Sequence, residues 1–376
     1  MSLPLFFYGT LCHAPLREAV LGLGHTVNEA RLAGYSVHWA EGSDYPVIVP
    51  DAAGVTLGIV VDGIEAGAEA RANWFEGGFG YRLEEVRVAV DGRGAVAARV
   101  YMPDGRLTPG APWSLDDWVG AHAPVWLRAA EEAMAVFEQE RGRGASLAAR
   151  WEMMKQRAAT ALRAQARIAG HVRRVDYSTE RDVAVEQARH PHTGYFSLQD
   201  HDLRYRRFDG AMSAPVRRAG FVGGDAATVL PWDPELDAVL VVEQFRAGPF
   251  FRGDPRPWTL EPIAGRVDPG EDPAACVRRE AMEEAGLALG RLHRIADYYP
   301  SPGAVSEFVY SFVAEAQLSG RGGELGGMDD EHEDIRTHLI PREEIMALVA
   351  SGEVATGPLI LSLYWLEMFR EKLWRG

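Results

Sequence analysis

One stretch constrains this chain more than any other: residues 265–287, GRVDPGEDPAACVRREAMEEAGL. Asp272 is a good N-cap, and Pro273 falls at the first helical position, where a missing N–H costs nothing. Gly286 is a good stop at the other end. A helix of about three turns is predicted between them. Glu280 and Glu284 are four residues apart and Glu280 and Glu283 three apart, so all three project from one side. Ala274, Val277 and Ala281 lie on another face and are small enough for close packing on a sheet. Three like charges on one helical face repel one another unless a cation neutralises them, and oxygen ligands of this kind suit Mg²⁺ or Mn²⁺. A pair of glutamates alone would more often be a solvated acidic face. The whole spacing, Gly-x5-Glu-x7-Arg-Glu-x2-Glu-Glu-x-Gly, is what argues otherwise.

The rest of the chain is in keeping with two globular domains. It has 376 residues, 47% apolar and 25% charged, enough for sizeable cores. The formal net charge of −15 disfavours nucleic acid, since counterions must be replaced by Lys and Arg. It is compatible with a small phosphorylated substrate bridged to carboxylates by metal. Two distant cysteines, Cys12 and Cys276, form no disulfide framework and no thiolate cluster. No apolar run suits a membrane span, and no leader peptide stands at the N-terminus, so a cytoplasmic protein without a membrane partner is expected.

Residues 3 to about 115 read as α+β, with strands at 5–8, 47–49, 58–61 and 86–90, the last meeting the hairpin signal Asp91-Gly92. Residues 116–170 are rich in Ala, Glu, Arg and Met, and read as a helical connector with helices at 129–141 and 147–169. From 171 to 376 the pattern is mixed again. Strands are predicted at 226–231, 238–243 and 307–314, and helices at 273–285 and 357–371.

The spacing in 265–287 matches the Nudix signature at every fixed position, with Ala281 where a bulkier aliphatic is common. The resemblance implies that Glu280, Glu283 and Glu284 bind Mg²⁺ or Mn²⁺, with the carbonyl of Ala264 as a further ligand, and that Arg279 holds Glu271. The flanks resemble the ADP-ribose pyrophosphatase branch: Tyr299-Pro300-Ser301-Pro302, with Pro302 sixteen residues beyond Gly286; Thr193-Gly194-Tyr195-Phe196; Val216-Arg217-Arg218; Glu243-Gln244-Phe245-Arg246; and Asp330-Glu331-His332-Glu333-Asp334. That resemblance implies an α/β/α sandwich with a mixed sheet, and cleavage of ADP-ribose into AMP and ribose 5-phosphate by a homodimer with exchanged N-terminal strands. Tyr195 would stack on adenine, Arg218 and Arg246 would bind phosphate or ribose, and Ser301 and Pro302 would line the substrate site. Glu331, then Glu333, would serve the attacking water, with Glu307 as a third candidate. The competing readings are another nucleoside diphosphate sugar, such as GDP-mannose, and a binding protein with vestigial catalysis.

Phe7-Tyr8-Gly9-Thr10-Leu11, Tyr45-Pro46-Val47, Gly58-Ile59-Val60 and Trp74-Phe75-Glu76-Gly77, in that order, resemble the γ-glutamylcyclotransferase-like fold, a small twisted barrel. This implies that Tyr8, Gly9, Thr10 and Leu11 bind an acidic substrate and that Glu76 shuttles a proton. The alternative is a recruited scaffold in which Glu76 only caps or pairs. The two-domain layout also resembles proteins linked with tellurite resistance, although no residue here points to tellurium chemistry.

Overall fold

The computed structural model describes residues 3–105, 107–140, 146–167, 173–327 and 333–374. The chain forms two compact units, residues 1–219 and 220–376.

The first unit begins with strands β1 (Leu5–Phe7), β2 (Thr26–Ala40), β3 (Pro46–Asp62), β4 (Tyr81–Val90), β5 (Gly94–Pro103) and β6 (Pro109–Pro112), interleaved with helices α1 (Ala14–Leu21) and α2 (Ala66–Gly77). The sheet order β3-β1-β5-β4-β2-β6, with β3 also paired to β2, closes it into a barrel, which removes free edges. β1 and β5 run parallel, and the other pairs in the ring are antiparallel. The period of two along β1 is decisive. Phe6 and Tyr8 join a cluster with Leu32, Val60 and Val100, while Leu5 and Phe7 face a second cluster built with helices.

Those helices are α3 (Leu115–Ala121), α4 (Ala123–Glu140) and α5 (Trp151–Ala166). Ser114 caps α3 by accepting from the Asp117 N–H, as its residue type predicts. The stretch 116–170 reads in the sequence as a connector, yet these helices belong to the core. Trp118, Trp126 and Trp151 are 0%, 1% and 3% exposed and pack with Leu5, Leu16 and Phe75. Asp44, in the β2–β3 turn, ties them down. Its carboxylate accepts from Trp126 Nε1 at 2.9 Å and from Lys155 Nζ at 2.8 Å, and its carbonyl accepts from Trp118 Nε1 at 2.9 Å. The first unit ends with α6 (Thr179–Asp182) and a separate three-stranded sheet, β7 (Val183–Thr193), β8 (Ser197–Tyr205) and β9 (Val216–Val222), whose last residues enter the second unit.

The second unit holds strands β10 (Ala226–Asp233), β11 (Ala238–Phe245), β12 (Trp258–Glu261), β13 (Ile263–Arg266), β14 (Leu292–Tyr298), β15 (Val309–Glu315), β16 (Leu325–Gly326) and β17 (Ile335–Pro341). Helices are α7 (Ala247–Arg252), α8 (Pro273–Ala285), α9 (Arg342–Ser351) and α10 (Gly357–Trp374). The sheet order is β14-β15-β10-β11-β17-β16, with β12 added on β11 and β13 on β10. β10 and β15 are parallel and the other registered pairs antiparallel, which makes the sheet mixed. Alternation along β11 sends Leu240 and Val242 to the α8 side and Val239 and Val241 to the α9–α10 side. Helices therefore cover both faces, the α/β/α layering that the resemblance implies.

Candidate active site

Helix α8 is built as its sequence dictates. Asp272 accepts from the Ala274 N–H at 2.8 Å, Pro273 takes the first turn, and Gly286 closes the helix at φ 55°. Val277, Ala281 and Ala285 go into the core, which leaves the glutamates on the other side.

Arg279 organises them. Its guanidinium donates to Glu271 at 3.1 and 3.2 Å, to Glu280 at 2.7 Å, to Glu283 at 2.8 Å and to the Arg266 carbonyl at 3.1 Å. Glu271 also accepts from the Asp268 N–H at 3.0 Å. Burial works to raise the Glu271 carboxyl, but these hydrogen bonds hold it below the usual range. Burial pushes Glu280 up to about 7 against the pull of Arg279.

Glu284 is the extreme case. It is 2% exposed, and burial, reinforced by the charges of Glu280 and Glu333, pushes it up to about 9. The backbone N–H of Ala264 offsets part of this by hydrogen bonding. Glu284 Oε2 has no hydrogen-bond partner. A buried carboxylate oxygen left open is expensive unless something comes to it. Gly265, on β13, makes the neighbouring room. A Cβ there would lie 1.8 Å from Glu280 Oε1.

Three further groups act on this patch. Arg246 interacts with Glu284 and Glu333 and is held by a two-pronged ion pair to Glu261 at 2.9 and 2.8 Å. Glu333 bears on both Glu280 and Glu284. Glu307 is raised by burial, with Arg266 and Arg246 opposing and Asp225 adding to the rise. Ser301 and Pro302 lie in an exposed turn in which Ser301 O accepts from the Val305 N–H. Glu331 lies outside the described residues. Tyr195 and Arg218 belong to the first unit, where Tyr195 is 59% exposed and Arg218 donates to the Arg217 carbonyl.

Among the described residues, no three His, Cys, Asp or Glu side chains stand ready-made around a common metal position. Arg279 draws Glu280 and Glu283 to itself. The open Glu284 oxygen, the Gly265 clearance and the all-oxygen donor set nevertheless fit a divalent cation. Sequence reasoning missed Glu261 and Arg266. Glu261 ends β12, and Arg266, within the 265–287 stretch, ends β13, but their partners lie 15 and 13 positions away and are not read from spacing.

The first unit contains a second constellation. A cavity of ≈ 30 Å³ is walled by Tyr8-Gly9-Thr10-Leu11, Glu76 and the rings of Tyr45, Phe79 and Trp126, among others. Room for a water-sized group is all this volume allows. Tyr8 donates to the Tyr101 carbonyl at 3.0 Å and Tyr81 to that of Pro46, so neither hydroxyl proton is spare. Among the described residues, no basic side chain lines the cavity. Glu76 retains some exposed surface, but dense neighbours desolvate it and push its carboxyl up to about 8. A carboxyl of ordinary value 4.5 in the unfolded chain and about 8 in the folded one is bound by more protons when folded. Its contribution to stability is therefore full below about 4.5 and lost as pH rises towards 8. We expect Glu76→Gln to flatten the fall in melting temperature between pH 5.5 and 8. An undiminished pH slope in the variant would mean that another group carries it.

Comparison with known proteins agrees with this geometry. Residues 223–360 match the NUDIX domain, and residues 5–119 match "Gamma-glutamyl cyclotransferase, AIG2-like". The chain is 36% identical over 192 residues to the ADP-ribose pyrophosphatase of Escherichia coli (strain K12), covering 51% of this chain and 91% of the relative. It is 30% identical over 196 residues to the ADP-ribose pyrophosphatase of Haemophilus influenzae, covering 52% and 90%. It is 33% identical over 174 residues to a GDP-mannose pyrophosphatase of Enterobacter sp. (strain 638), covering 46% and 89%. The chain belongs to the Nudix hydrolase family. Its Nudix domain is C-terminal, joined to an N-terminal domain of the γ-glutamylcyclotransferase, AIG2-like kind.

Proposed function

We propose that the protein hydrolyses the pyrophosphate bond of ADP-ribose to give AMP and ribose 5-phosphate, using Mg²⁺, with Mn²⁺ as a substitute. The observation that carries this reading is the buried Glu284 carboxylate with one open oxygen, beside Glu280 under Gly265. The two relatives named ADP-ribose pyrophosphatase support the choice of substrate.

Glu280, Glu283, Glu284 and the Ala264 carbonyl would hold the divalent ion. Bound there, it supplies charge neutralisation for the pyrophosphate and a lowered pKa for the attacking water. Arg279 keeps Glu271 in place and balances the acidic face. Arg246, aimed by Glu261, takes a substrate phosphate through its remaining donors. Glu333 or Glu331 receives the proton of the attacking water, and Glu333 has the nearby charges of Glu280 and Glu284 in its favour. Glu307 is the third candidate. Tyr195 takes the base, Arg218 the ribose or phosphate, and Ser301 and Pro302 line the sugar end. A homodimer is part of the proposal, supported by apolar exposure on the three-stranded sheet at Val185 and Tyr205 and in the turn after β8 at Phe208. Two unpaired cysteines go with a reducing, cytoplasmic setting. No described helix is long and apolar enough to cross a membrane.

The test is turnover of ADP-ribose and GDP-mannose with Mg²⁺, with products separated by chromatography. ADP-ribose is expected to give AMP and ribose 5-phosphate with kcat/KM roughly tenfold or more above GDP-mannose. Preference for GDP-mannose would move the assignment to the other named relative. A folded protein inactive on both would sink it.

A second reading has its own observation, the Glu76 cavity. A carboxyl poised near 8 beside a main-chain turn suits proton transfer during cyclisation of a γ-glutamyl amide to 5-oxoproline and free amine. Since the cavity of ≈ 30 Å³ admits only a water-sized group, a γ-glutamyl chain would have to part the rings around it to enter. On this reading the protein has two activities.

A further inference from the structure

Helices α4 and α5 grip the β7–β8 hairpin at two places. Gln139 pairs with the backbone of His190 in both directions, donating from Nε2 to the carbonyl at 2.7 Å and accepting at Oε1 from the N–H at 2.9 Å. At the tip, Arg157 Nη1 donates to the carbonyls of Gly194 and Tyr195 at 3.4 and 3.5 Å. The Arg157 side chain is 3% exposed, and Glu132, 13% exposed, fixes it through contacts of 2.7, 3.0 and 3.1 Å. An ion pair this buried is weak evidence for stability, because desolvation offsets attraction. What it does secure is direction: a planar fork locked on one side has its remaining donors pointed on the other.

The tip held this way is narrow. The Gly194 N–H donates to the Phe196 carbonyl at 2.9 Å, and a Cβ on Gly194 would meet His192 Nε2 at 2.9 Å. It presents Tyr195 and Phe196, 59% and 49% exposed, as an edge-on pair with ring centroids 4.9 Å apart. A stacking surface contributes more affinity when the segment that carries its rings is held before the base arrives, because less ordering is lost on binding.

We propose that Arg157, Glu132 and Gln139 are positioning residues for nucleobase binding: the helices packed on the N-terminal barrel set the affinity of the Nudix reaction for the adenine end of its substrate. This rests on the ADP-ribose reading above. It makes the two domains functionally dependent without requiring any ligand in the Glu76 cavity.

The test uses the full chain with Arg157→Lys, which keeps the charge against Glu132 but loses the fork, and Gln139→Ala, at an exposed position. For Arg157→Lys the expected result is KM for ADP-ribose up roughly tenfold with kcat within about twofold. For Gln139→Ala the rise is roughly threefold. The inhibition constant of AMP should rise in step, while that of ribose 5-phosphate, which has no base, stays at the wild-type value. A general structural role would move both inhibitors or lower kcat, and that outcome overturns the proposal. So does wild-type KM in both variants. If Arg157→Lys does not fold, Gln139→Ala decides. If wild type itself does not cleave ADP-ribose, the functional reading fails first.

Discussion

Glu284→Gln is expected to slow metal-dependent pyrophosphate cleavage by ~10²-fold or more, equivalent to ~3 kcal/mol of barrier on one carboxylate. The same substitution should leave the metal-free melting temperature unchanged or raised. Glu284 is 2% exposed, has an oxygen without a partner and is pushed up to about 9 by burial, so without the ion it is already neutral near pH 7 and an amide of the same shape replaces it at little loss. The two readouts pull apart only if the residue serves the ion. Wild type should gain stability when Mg²⁺ is added, by mass action on the folded state, and the variant should lose that gain. A rate loss below ~10-fold would speak against Glu284 as a principal ligand. A matching collapse in melting temperature would make it a structural residue.

Gly265→Ala is expected to cost activity by ~10–10²-fold, through metal binding rather than folding. The added methyl would stand 1.8 Å from Glu280 Oε1 and 1.9 Å from Cδ. No real contact is that short, so something must move, and the carboxylate end of Glu280 is freer than the β13 backbone. β13 is registered against β10 from Ala226–Arg266 to Val229–Ile263. Glu280 would swing away, and the Mg²⁺ concentration for half-maximal rate should rise. The measurement is a metal titration of rate with circular dichroism on the same sample. An unchanged metal dependence would show that the glycine is not there for Glu280.

The parts of the site legible in the sequence were those coded locally. Helix α8 has its cap, its first-turn proline and its terminating glycine within one short segment, and its bounds at 273–285 agree with that reading. The hydrophobic strands β10 and β11 were legible for the same reason, since each is buried on both faces. Of the long hairpin of β2 and β3, only β3 is read in the sequence, and in fragments at 47–49 and 58–61. Its strands carry polar and half-exposed residues over much of their length, so neither apolar periodicity nor a short apolar run marks them. Helix α9 gave too little signal to be read, with Ile345 alone fully buried. The helices from 115 to 166 were legible as helices but not as core. Their tryptophans are 8 and 25 residues apart in the chain (118, 126 and 151) and form one cluster only after the helices stack. The pairs Arg246–Glu261 and Arg157–Glu132 are hidden likewise, since 15 and 25 positions separate the partners.

The depth of that tryptophan cluster bears on how such a chain could be cut, grafted or inherited. Similarity to the N-terminal family ends at residue 119, but the buried core runs on to Ala158. A segment ended at 119 would lack two of the three tryptophans, together with the Lys155 that pairs with Asp44. It would leave an apolar wound where Leu5, Phe7 and Phe75 now find cover. The transferable module is thus longer than the recognisable one. A shuffling event that joined these two domains would have had to carry α4 and α5 along with the barrel, and with them the side chains that hold the hairpin of Tyr195.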